Sequence, residues 1–195
     1  MTPAAPTAWP AEGARLLEPS ISYALSVVLA VTPELLSRPT PCRGWDLRML
    51  LRYACESLAA FGEGIEAGRV GLDPAEEDAV LTADPARAFR DRAGQLLDAW
   101  TSPGHQRQVI EIAGCPLAAS VMAAAAALEV AVHGWDISRA CRQRQPIPPA
   151  LATQGERAPR NTGRIRPLLT QRSRSVAGAG RDWPRSVISL IAGPE

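Results

Sequence analysis

A chain of 195 residues is long enough for one domain with a sizeable core. Its apolar share of 46% is that of a globular protein, and a net charge of +1 singles out no polyanionic partner. The longest early apolar run, Ile21 to Val31, is too short to span a bilayer, which argues against a membrane protein. It also follows Glu18 rather than a basic cluster, so it reads as a core helix and not an export signal.

In chain order, residues 1–10 form a Pro/Ala-rich lead expected to be frayed. Leu16 to Val31 reads as the first helix. Thr32-Pro33-Glu34 is a fresh helix start, cut to one short turn by Arg38-Pro39-Thr40-Pro41. Asp46 can cap a second helix from Leu47 to about Ala67, with an apolar stripe at Leu47, Leu50, Leu51, Ala54, Leu58 and Phe61. Asp84-Pro85 repeats the cap-plus-proline start for a third helix through Phe89, Leu96, Leu97 and Trp100, ended by Ser102-Pro103-Gly104. Gln108 to Ile112 alternates weakly, as a short extended segment does. Pro116 is expected to open the fourth helix, which runs to about Arg142.

That last helix carries the central stretch of the chain. Alanine is the strongest helix former, and Ala123 to Ala127 lead directly into Leu128-Glu129-Val130-Ala131-Val132-His133. Met122, Ala126, Glu129, His133 and Ile137 share one stripe of such a helix. A carboxylate on an otherwise apolar stripe is costly unless it is paired or bound to a metal. A hydrogen-bonded Glu129–His133 pair is the simplest reading of the spacing alone.

Pro146-Ile147-Pro148-Pro149 then marks a linker, dividing a helical bundle at 11–145 from a C-terminal extension at 146–195. After Cys141 the chain holds ten arginines against three acidic residues. The extension is therefore basic and loosely structured and is expected to pack on the bundle, with docking onto a second subunit of a homodimer as the alternative. It lacks the interleaved aromatics of a stacking platform, which argues against nucleic acid. Four cysteines with no C-x-x-C pair, in a chain without an export signal, read as reduced thiols of a cytoplasmic protein. Four long amphipathic helices with little strand signal give an all-α fold, a four-helix bundle.

Two runs carry a family resemblance. Pro39-Thr40-Pro41-Cys42-Arg43-Gly44-Trp45-Asp46-Leu47-Arg48-Met49-Leu50-Leu51 resembles the first signature of the mycothiol-dependent maleylpyruvate isomerase N-terminal family. Glu129-Val130-Ala131-Val132-His133-Gly134-Trp135-Asp136 resembles its second, E-x-x-x-H-x-W-D. The resemblance spans residues 12–145 and implies a DinB-like bundle. It further implies a divalent metal, zinc or nickel, held between the second and fourth helices, and the thiol mycothiol as co-substrate. Glu129 and His133 fall at two of the metal positions. The third, a histidine on the second helix, falls at Tyr53.

The expected function is an enzyme on a small organic molecule, in one of two forms. With metal on Glu129 and His133 it would carry out thiol transfer or thiol-assisted isomerisation. Without metal, Tyr53, Glu129 and His133 would form a proton-transfer set for an isomerisation or cyclisation, Glu129 orienting His133 as base and Tyr53 donating to an oxyanion. Trp45, Trp135, Asp136 and Arg139 are the expected substrate-binding residues around it. Asp136 and Arg139 also fit an exposed ion pair, and Cys42 reads as a small core residue. His105 is the one other histidine available as a ligand. The alternative is a non-catalytic bundle that binds a small ligand.

Overall fold

The computed structural model describes residues 14–71, 83–112 and 115–152. The lead at 1–10 and most of the extension, 153–195, lie outside the described residues, so neither expectation is addressed. Four long helices form the bundle: α1 (Leu17–Val28), α2 (Leu47–Ala67), α3 (Pro85–Thr101) and α4 (Ala119–Ala140). Short 3-10 turns occupy Pro33–Leu35 and His105–Arg107.

Local chemistry explains the helix ends. Asp46 accepts a hydrogen bond from the Met49 amide at 2.8 Å, and Asp84 accepts one from the Arg87 amide at 2.9 Å, followed by Pro85 in the first turn. Gly68 ends α2 in the left-handed conformation, at φ 70°, and turns the chain directly into β1. Asp46→Ala is expected to cost about 1 kcal/mol of stability, the usual loss of a side-chain cap. A thermal melt would read this as a fall of roughly 2–4 °C.

A small sheet closes one end of the bundle. Strands β1 (Arg69–Val70), β2 (Val109–Ile112) and β3 (Cys115–Ala118) lie in the order β1-β2-β3, the first pair parallel and the second antiparallel. The extended segment expected near Ile112 is thus strand β2. The expected helix start at Pro116 is corrected: Pro116 sits in β3 opposite Glu111, and α4 begins three residues later at Ala119. Strand β3 lies at the sheet edge, where a residue with no N–H is tolerated.

The core is continuous across the bundle. All six residues of the α2 stripe are buried, together with Leu17, Ile21 and Val27 of α1 and Phe89 and Leu96 of α3. Helix α4 packs most extensively on α1, and α2 on α3. The α1–α4 approach is close at Gly134, where a Cβ would lie 3.0 Å from Tyr23 Cε1 and 3.2 Å from Ala24 Cα. Beyond α4 the chain folds back on α1. Tyr23 donates to the Gln145 carbonyl at 3.1 Å, the Gln143 amide group donates to the Val27 carbonyl at 2.9 Å, and Leu151 is buried. Among the described residues, no helix is long and apolar enough to cross a membrane.

Candidate functional site

The α2–α4 contact buries a polar cluster. On α4, Glu129, His133 and Asp136 stand at i, i+4 and i+7, and so share one face. Tyr53 reaches them from the second turn of α2. Its hydroxyl donates to Glu129 Oε1 at 3.1 Å, and His133 Nε2 lies 3.2 Å from the same oxygen. The Tyr53 and His133 rings meet edge to face, 5.3 Å between centroids. Met122, Ala126 and Ile137, the rest of the expected stripe, are fully buried.

Asp136 occupies the far side of the imidazole. It is 1% exposed, and its Oδ2 lies 3.7 Å from His133 Nδ1 and accepts from Cys42 Sγ at 3.5 Å. The expected exposed ion pair with Arg139 is therefore corrected, because Asp136 turns inward. Trp45, half-buried, packs on the Tyr53 ring at 5.3 Å. Trp135 and Arg139 lie elsewhere. A residue two beyond His133 is about 200° round the helix. Trp135 accordingly joins Leu128 and Val132 on the outer face, with the exposed Arg139 guanidinium 5.9 Å above its ring.

Electrostatics follow from this layering. Burial by itself lowers the His133 pKa, but Asp136 and Glu129, one at each ring nitrogen, outweigh it and raise the pKa to about 9. At neutral pH the imidazole holds a second proton, so the resting ring is a proton donor. Burial raises the Cys42 thiol to about 12, helped by the Asp136 charge, so Cys42 keeps its proton and serves as a donor.

The donor set does not fit the metal that the family resemblance implies. Zinc takes three protein ligands in an open site. Glu129 and His133 supply two, but the α2 position carries a phenol whose proton is engaged by Glu129 Oε1. Asp136 faces the opposite ring nitrogen and so cannot join Glu129 on one ion. Among the described residues, no group of three or more His, Cys, Asp or Glu side chains is placed to hold a metal. His105 does not substitute, since its Nδ1 is held at 2.8 Å from the Ala99 carbonyl at the end of α3.

Sequence reasoning left Asp136 at the rim, although the i, i+3 spacing from His133 already put it on the inner face. Cys42 is a buried core residue as expected, and the contact of its thiol with Asp136 is what the sequence did not show. Cys42, Cys55 and Cys141 carry free thiols.

No curated protein matches the chain in sequence. Among solved structures, the chain is similar to the crystal structure of the mycothiol-dependent maleylpyruvate isomerase. The TM-score is 0.55 at 17% identity, covering 75% of this chain and 68% of that one. A likeness at that identity shows a shared fold. The model of the mycothiol maleylpyruvate isomerase N-terminal domain matches residues 17–138, from the start of α1 almost to the end of α4, and the chain belongs to that family.

Proposed function

We propose that the chain is an enzyme that isomerises or cyclises a small organic molecule by metal-free acid–base chemistry at Tyr53, Glu129 and His133. One observation carries this reading: a single carboxylate oxygen, Glu129 Oε1, is shared by the Tyr53 hydroxyl and His133 Nε2. An acid, a base and an oxyanion donor thus converge on one point in a water-poor site, as proton transfer to and from carbon requires. Glu129 takes the proton, His133 returns one, and the Tyr53 hydroxyl, released from Glu129 Oε1 as substrate enters, donates to the oxygen on which charge develops. The metal-assisted form is not carried forward, because the donor set does not fit it.

The family name suggests the co-substrate. Mycothiol is the thiol to test first, with maleylpyruvate as the first substrate. Tyr53→Phe is expected to lower turnover about 100-fold, in the range of one general-acid contribution. Mycothiol affinity, read by calorimetry, should stay at the wild-type value. Wild-type turnover in that variant removes Tyr53 from the chemistry.

A second reading, a small-ligand-binding bundle without turnover, is favoured by burial: Tyr53 and His133 are each 3% exposed. Mycothiol binding with no turnover on any unsaturated keto acid would select it.

A further inference from the structure

We propose that Asp136 and Cys42 form a positioning pair that fixes the His133 ring, holding Nδ1 toward the protein and turning Nε2 toward Glu129. The catalytic consequence rests on the acid–base reading above. The ring orientation itself does not.

The starting point is a cost. A carboxylate as buried as Asp136 is retained only where donors answer it. One hydrogen bond and one ion-pair approach do so at the same oxygen: the Cys42 thiol donates at 3.5 Å, and His133 Nδ1 stands 3.7 Å away, beyond hydrogen-bond distance. Which ring nitrogen of a histidine carries a proton is set by what the other nitrogen faces. With Asp136 fixed at Nδ1, that nitrogen keeps its proton whatever happens at Nε2. Only the Nε2 side is then left to exchange a proton with Glu129 and a substrate.

Cys42 is placed for this by its own turn. The Thr40 hydroxyl donates to the Trp45 carbonyl at 3.0 Å and accepts from the Cys42 amide at 3.2 Å. The Trp45 amide in turn donates to the Cys42 carbonyl at 2.9 Å, and a Pro39–Asp46 bridge closes the loop just before α2. One compact turn therefore touches both flanks of the site, Cys42 behind the imidazole and Trp45 against the phenol.

The thiol acts as a hydrogen-bond donor and not as a nucleophile. It is 4% exposed, and it keeps its proton well above neutral pH. Other groups around the ring are already engaged. Tyr53 meets it edge-on from α2, Glu129 sits one turn back on α4, and the Tyr23 hydroxyl on α1 donates to the Gln145 carbonyl.

The test is nitrogen NMR of ring-labelled histidine at one fixed neutral pH, on the full chain and without substrate. The protein has two histidines, so His105→Asn assigns the remaining signal to His133. The wild type is expected to show a protonated Nδ1 with an observable ring N–H proton. Asp136→Asn should lose that proton signal, Cys42→Ala should shift it upfield, and Cys42→Ser, which keeps a donor, should restore it. Where Asp136→Asn fails to fold, the Cys42 pair decides alone. Unchanged His133 signals in folded Asp136→Asn, or in Cys42→Ala, overturn the proposal. Failure of the acid–base reading shows separately, as wild-type turnover in Tyr53→Phe.

Discussion

Glu129→Gln is expected to lower turnover by about three orders of magnitude, within the range of a lost general base. The substitution keeps the shape of the side chain and an oxygen for the Tyr53 hydroxyl, so the fold should survive. It removes the one group that Tyr53 and His133 both address. The expected pattern is a fall in kcat with KM little changed, because a general base contributes in the transition state and little to ground-state binding. Combined with Tyr53→Phe, the loss should be far from additive, since the two groups act as one unit. Additive losses would separate them.

Alkaline loss of stability is the second large effect expected. The folded pKa of His133 is raised to about 9, above the ordinary imidazole value of 6.5. Folding is therefore favoured by the proton it holds more tightly. This contribution is fully present below about pH 6.5 and is lost as pH rises through 9. Its size is on the order of 3 kcal/mol, which for a chain of this length corresponds to roughly 10 °C of melting temperature. Cys42 acts in the same direction: its raised pKa, about 12 against an ordinary 9.0, means that an unfolded thiol ionises first above pH 9. Melts between pH 6 and 10 should show a falling profile in the wild type and a flatter one in His133→Gln. Parallel profiles would show that the imidazole is not held between two carboxylates.

Much of the bundle was legible in the sequence, for definite reasons. Asp46 and Asp84-Pro85 are start signals whose chemistry is local, and both cap as expected. The α4 stripe was legible because alanine is the strongest helix former and the i, i+4 spacing puts Glu129 and His133 on one face, which the structure turns inward. Strand β3 was not. A proline ahead of a helix looks the same whether it sits in the first turn or in an edge strand, and only the pairing with β2 decides.

The site was legible in part. The meeting of Tyr53 with Glu129 joins positions 76 residues apart, which no local period specifies. It was anticipated through the two signatures and their resemblance to a family. The sides taken by Trp135 and Asp136 were within reach of helix geometry, since one lies two residues from His133 and the other three. What geometry could not supply was Cys42, whose approach to Asp136 depends on how the Thr40–Trp45 turn folds against α4.

The proposed function has the Tyr53–Glu129–His133 cluster exchange protons with no ion between the side chains. The direct check is metal analysis of protein purified without chelator or histidine tag, alongside Glu129→Ala. Substoichiometric zinc and nickel in both proteins is the expected result. Stoichiometric metal in the wild type, lost in Glu129→Ala, would contradict it.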